Sequence, residues 1–240
     1  MNISIQYEGE LDELILLHPT FSSLKHSEIA KTDKRSWSRR GEALTYDIQT
    51  MFIGKTGYGK STTVNKFFGS SIMQTSDIES CTRSAQSFEF KISDEHYFSF
   101  GDLPGIGENQ QRDEEYLSLY SKLINKTDVV IYVLRADMRD FSIDEEVCNK
   151  LFSQYEKKNV IFAVNFCDKV EPINRSLPFK PTPDQQVNID KKVSLVKEIF
   201  NSVNAVIPYS AETGWNIRLL GEEIINVISN SSEINIQKTY

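Results

Sequence analysis

The chain has 240 residues with 39% hydrophobic and 25% charged side chains, enough for one large domain with its own core and too apolar for wholesale disorder. Its 27 Lys and Arg against 34 Asp and Glu give a net charge of −7, which argues against a role in coating phosphate backbones. The three cysteines, Cys81, Cys148 and Cys167, share no metal-ligand spacing, no apolar run approaches the ~20 residues of a membrane span, and the N-terminus lacks a signal-peptide profile; the expectation is a cytoplasmic protein without a transmembrane segment.

In chain order, residues 1–46 have weak periodicity, with an apolar run at 13–17 and a basic cluster at 31–40 that holds Lys31, Lys34, Arg35, Arg39, Arg40 and Trp37. They read as a partly helical N-terminal extension. From about Asp47 short apolar runs alternate with amphipathic stretches. Strands are expected at 48–53, 87–92, 96–102, 128–134, 160–166 and 205–210, and helices at 60–68, 114–124, 142–155, 187–200 and 215–229. Ser142 and Glu145 have the spacing of a capping box. Residues 172–186 carry four prolines and read as a long loop. The alternation implies an α/β domain over 47–230, with a mostly parallel six-stranded sheet, one antiparallel edge strand and helices on both faces. Residues 231–240 read as a flexible tail.

Between the first of these strands and the first of these helices lies Gly54-Lys55-Thr56-Gly57-Tyr58-Gly59-Lys60-Ser61, which fits G-x-x-x-x-G-K-[ST]. Glycines let a backbone wrap closely around phosphate with its N–H groups inward, and the helix start adds unpaired donors. Lys60 is placed to reach β- and γ-phosphates, Ser61 to offer a hydroxyl to Mg²⁺, and the phosphates to lie along Gly57–Thr62. A glycine-rich turn that matches by chance is the plainer alternative, rare in this strand–turn–helix setting.

Three further groups end successive strands. Asp102-Leu103-Pro104-Gly105 offers a carboxylate to Mg²⁺ through water and a mobile Gly105 to the γ-phosphate. Asn165-Phe166-Cys167-Asp168-Lys169 offers a carboxylate that can accept from the N1–H and N2–H₂ edge of guanine. Ser210-Ala211-Glu212 offers backbone N–H groups to guanine O6. Each is weak alone; together at the carboxyl edge of one α/β sheet they are strong. Thr82, in preference to Thr75, is the expected second hydroxyl on Mg²⁺.

With these motifs the sequence resembles the Era-like translation-factor class of GTPases, and within it the prophage-associated YfjP/YeeP family. The resemblance covers about residues 50–220 and includes DLPGIGENQQRDEEYLSLY, ADMRDFSIDEE, DKVEP, PTPDQQVNIDKKV and SAETGWNI. It implies a P-loop G domain that binds GTP and GDP with Mg²⁺ and hydrolyses GTP, with Lys60, Thr82 and Gly105 at the chemistry. Ser61, Thr82 and Asp102 would hold the metal. Gly54, Thr56, Gly57, Tyr58, Gly59, Lys60, Ser61 and Thr62 would surround the phosphates, and Asn165, Phe166, Asp168, Lys169, Ser210, Ala211 and Glu212 the base.

The sequence departs from the family pattern at three positions. Phe166 stands where relatives carry a lysine whose stem lies over the base; its ring either stacks on guanine or points into the core. Ile106 follows D-x-x-G where many relatives place a water-orienting glutamine. Gly57 stands where potassium-activated members have asparagine. Turnover is therefore expected to be slow without a partner or self-association, with Arg83, Arg112, Arg135 and Arg139 as candidate activating groups. The second switch is expected at 105–124, and an effector protein is implied but not named. The basic cluster leaves ribosome association open beside a plain solvated linker. A second reading is a GTP-regulated module that forms a homodimer across the nucleotide face, as in septin/AIG-type relatives, with turnover secondary.

Overall fold

The computed structural model describes residues 3–29, 36–40, 43–68, 84–152, 156–231 and 234–236. Its elements run β1 (Ser4–Glu10), α1 (Leu11–Leu17), a 3-10 turn (Pro19–His26), β2 (Ser27–Ile29), β3 (Ser36–Arg40), β4 (Ala43–Ile53) and α2 (Lys60–Phe68). There follow β5 (Gln86–Lys91), β6 (His96–Asp102), α3 (Gln110–Ile124), β7 (Val129–Arg135), α4 (Ser142–Leu151) and β8 (Val160–Asn165). The chain continues through α5 (Pro183–Phe200), β9 (Ile207–Pro208), α6 (Ile217–Ser229) and β10 (Ile234–Ile236).

The main sheet has the order β1-β5-β6-β4-β7-β8-β9, with β3 paired antiparallel to the start of β4. β6, β4, β7, β8 and β9 are mutually parallel, so their carboxyl ends share one edge. β5 runs antiparallel to β6. The six expected strands are all present, but β5 is not at the edge, because β1 pairs with it in parallel. β7 and β8 are buried along nearly their whole length, as apolar runs covered by helices on both faces require.

Part of the N-terminal stretch is built into this unit. Leu11, Leu14, Phe21 and Leu24 are all buried. The Phe21 ring packs at centroid distances of 6.1, 5.4 and 5.9 Å from Phe67, Phe98 and Phe100. Within the expected tail, β10 pairs antiparallel with β2 and buries Ile234. On the opposite face of the sheet Phe200 of α5 packs against Tyr132 and Phe162.

Several helix ends differ from the sequence reading, each for a local reason. α5 starts at Pro183, not 187, because Thr182 caps it by accepting from the Gln185 N–H at 3.2 Å and Pro183 occupies its first turn. α3 starts at Gln110, with Asn109 accepting from the Arg112 N–H at 3.0 Å. The Ser142–Glu145 capping box is not made: Phe141 is the N-cap, and Asp140 accepts from the Ser142 N–H at 2.8 Å.

Candidate nucleotide site

The expected groups meet at the carboxyl ends of the five parallel strands. The phosphate loop follows β4, Asp102 ends β6, Arg135 ends β7, Asn165 ends β8, and Ser210 follows β9. Gly59 has φ +84°, and a Cβ there would lie 2.4 Å from Asn165 Nδ2. A side chain at this position is excluded by both backbone and neighbour.

Lys60 opens α2 and is buried, its Nζ donating to the carbonyls of Gly54 and Lys55 at 3.1 Å each. Burial pushes its ammonium below the usual lysine range, against the pull of Asp102 and Glu108. Beside it Ser61 Oγ donates to Asp102 Oδ2 at 2.6 Å, and Asp102 is fully buried. A hydroxyl and one carboxylate at the loop mouth are hard oxygen donors of the kind Mg²⁺ takes along with water and phosphate. Among the described residues no group of three or more His, Cys, Asp and Glu could hold a metal ion by itself. Thr82, Thr75 and Arg83 lie outside the described residues.

The segment after Asp102 is ordered against the phosphate loop. Lys55 and Ile106 form a parallel bridge, the Thr56 N–H donates to the Ile106 carbonyl at 2.9 Å, and Thr56 Oγ1 donates to the Gly105 carbonyl at 3.0 Å. A Cβ on Gly105 would fall 2.5 Å from Thr56 N, so only glycine permits this approach. Tyr120 donates to the Pro104 carbonyl from behind. Ile106 is buried in the core and offers no polar atom to water.

The base side is organised by Asn165. Its Nδ2 donates to the Tyr58 carbonyl at 3.1 Å, and its Oδ1 accepts from the N–H of Phe166 at 2.8 Å and of Ala211 at 2.9 Å. One carboxamide thus ties together the phosphate loop, its own turn and the loop after β9. Ser210 gives its N–H to the Trp215 carbonyl, and its Oγ accepts from the Thr213 N–H at 3.2 Å. The Ser210 and Ala211 N–H groups expected to face a base therefore have protein acceptors. The Glu212 carbonyl accepts from Lys66 Nζ at 3.4 Å. Asp168 is buried, with Lys169 Nζ 3.3 Å from its Oδ2. Its Oδ1 is buried without a hydrogen-bond partner among the described residues.

Phe166 does not join the core. It is half-buried in the left-handed conformation (φ 63°, ψ 29°), with the Arg135 guanidinium 4.2 Å from its ring centroid. Arg135 is held by Asp137, and Arg112 pairs with Glu108 at 2.6 Å, so neither is a loose cation.

Sequence reasoning missed a buried group beneath the loop. Asp144 of α4 is fully buried, 3.1 Å from Lys55 Nζ. It also accepts from the hydroxyls of Tyr58 and Tyr132 at 3.4 Å. Burial pushes its carboxyl above the usual range, and Lys55 and the two tyrosines oppose this. An acidic residue in a helix's first turn reads as a complement to the dipole, so spacing alone gave no signal of this role.

Residues 49–166 match the family model described as 50S ribosome-binding GTPase. Proteins YkfA and YfjP of Escherichia coli (strain K12) are 32% and 31% identical over 183 residues, which is 76% of this chain and 63% of each relative. The chain thus spans less than two thirds of the length of these curated relatives. A solved structure of Era in complex with MgGDPNP and a segment of 16S ribosomal RNA is similar at TM-score 0.62 and 20% identity, over 82% of this chain and 59% of that one, a likeness of fold. The motif-bearing loops at one sheet edge agree with these similarities: the chain has the α/β P-loop GTPase fold, carries the GTPase match over residues 49–166, and is similar to YfjP and YkfA.

Proposed function

We propose that the chain is a guanine-nucleotide switch that binds GTP and GDP with Mg²⁺ and hydrolyses GTP slowly on its own. The observation that carries the base choice is Asp168 Oδ1, a buried acceptor with no hydrogen-bond partner among the described residues. The N1–H and N2–H₂ edge of guanine supplies the donors such a carboxylate takes. Adenine lacks that pair, and a buried polar group left unmet can reject the wrong ligand by as much as ~10⁴–10⁵.

Lys60 and the loop N–H groups would take the β- and γ-phosphates. An approaching phosphate reverses the cost of burying the Lys60 ammonium. Ser61 and Asp102, with Thr82 as second hydroxyl, would hold Mg²⁺, which when bound neutralises charge on the transferring phosphate. Slow turnover is supported by Ile106, which lies in the core and cannot position water. It is also supported by the paired state of Arg112 and Arg135. A partner or second copy that supplied an arginine would raise the rate by roughly 10³–10⁵.

Competition against a fluorescent GDP tests the base choice. GTP is expected to displace it at concentrations at least a hundredfold below ATP, and comparable displacement by the two refutes the guanine reading. Phosphate release tests the rate: specific activity should be low and rise with protein concentration or an added partner. Fast, concentration-independent turnover of the isolated chain refutes slow intrinsic hydrolysis.

A further inference from the structure

We propose that Arg135, held by Asp137 and stacked on Phe166, supplies the cation that relatives place on the lysine of the guanine motif, so that the Arg135–Phe166 pair is a nucleotide-positioning clamp. The inference rests on the guanine reading of the site and deepens it. The lysine that Phe166 replaces contributes two things to a bound nucleotide, a flat apolar stem against the base and a positive charge. Phenylalanine keeps the first and loses the second.

The sheet returns the charge from the neighbouring strand. Arg135 ends β7 and lies in register with Asn165, the last residue of β8, while the Ala136 N–H donates to the Asn165 carbonyl at 2.8 Å. The residue that follows β8 is Phe166, whose left-handed turn is supported by its own N–H donating to Asn165 Oδ1. A bulky residue at φ 63° is costly, and the conformation sets the ring under the guanidinium of Arg135 at 4.2 Å from the centroid. The same ring has Cε2 3.5 Å from the point where a Cβ on Gly59 would sit, which places it against the phosphate loop.

Arg135 is locked in this pose. Its Nε donates to Asp137 Oδ1 at 2.9 Å and its Nη2 to Asp137 Oδ2 at 2.6 Å. A forked pair of this kind fixes the guanidinium plane. A cation stacked over an aromatic ring is attracted by the ring quadrupole. Only Nε and Nη2 are used in the fork with Asp137. The ligand this arrangement fits is a purine nucleoside diphosphate, its base against an apolar ring and its ribose or phosphate oxygens toward a fixed cation. Lysine at 135 would keep the charge and lose both the fork and the stack.

The test is GDP affinity and dissociation rate for Arg135→Ala, Arg135→Lys, Asp137→Asn and the double variant Arg135→Ala with Phe166→Lys. Thermal unfolding of each variant reports whether it folds. Arg135→Ala is expected to weaken GDP about tenfold, mostly through faster release, and Arg135→Lys to recover little. Installing lysine at 166 in the Arg135→Ala background should restore affinity to within about threefold of the native chain. A merely structural arginine would not be rescued in this way. Unchanged GDP affinity in folded Arg135→Ala, or no rescue by lysine at 166, overturns the proposal. If Arg135→Ala does not fold, Asp137→Asn decides: about threefold weaker binding supports the clamp and native affinity overturns it. ATP competing as well as GTP on the native chain would instead mark failure of the guanine reading, independently of the Arg135 variants.

Discussion

Asn165 is the side chain through which loss of the fold and loss of ligand can be told apart. Truncation to alanine removes three hydrogen bonds, those to the Tyr58 carbonyl and from the N–H groups of Phe166 and Ala211. At about 1 kcal/mol net for each, and more where a buried partner stays unsatisfied, the cost is about 3–4 kcal/mol. Part of this falls on Phe166, which then keeps a left-handed backbone without the acceptor that supports it. Asp168→Ala differs in kind. It removes a carboxylate whose Oδ1 meets nothing among the described residues, so stability should change by less than about 1 kcal/mol. Urea denaturation without nucleotide gives the first quantity, and GDP titration of the folded variants the second. Asn165→Ala should lower both stability and affinity; Asp168→Ala should lower affinity alone, by at least a hundredfold. If Asn165→Ala costs under 1 kcal/mol while still losing GDP, the side chain acts as a ligand contact and the bracing argument fails.

Two further perturbations test what lies around the site. Phe21→Ala opens a void among Phe67, Phe98 and Phe100 and should cost about 3–5 kcal/mol, read from urea midpoints. A cost under 1 kcal/mol would mean that the N-terminal segment only rests on the domain. Asp144 gives a pH signature. Its carboxyl is held above the ordinary value of about 4, so the native state binds the extra proton. That contribution to stability is full below the ordinary value and is lost as pH rises through the raised one. Asn mimics the protonated acid. The stability difference between Asp144→Asn and the native chain, measured at pH 4 and pH 7.5, should therefore move in the variant's favour at the higher pH. Movement the other way refutes the burial argument.

What the sequence disclosed and what it hid follow from the range of the interactions involved. The phosphate loop is legible because phosphate binding needs consecutive backbone N–H groups, and so leaves a contiguous pattern at 54–61. Asp102, Asn165 and Ser210 are legible because parallel strands end on one edge, so order along the chain becomes proximity in space. β1 was hidden: its residues are mostly exposed, and its partner β5 lies some 80 positions away, as the Ser4 and Gln86 pairing shows. The start of α5 was visible in Thr182-Pro183, yet the four prolines of 172–186 outweighed the cap when read as loop composition. Phe166 marks the boundary between the two cases. Its departure from the family lysine is plain in the chain, but its compensation comes from Arg135, whose place beside it is fixed only by the register of β7 on β8. A lost charge can be restored from any strand end that reaches the same edge. The sequence of one motif therefore cannot decide whether the site has lost a function, and the neighbouring strand has to be examined before such a departure is counted as a defect.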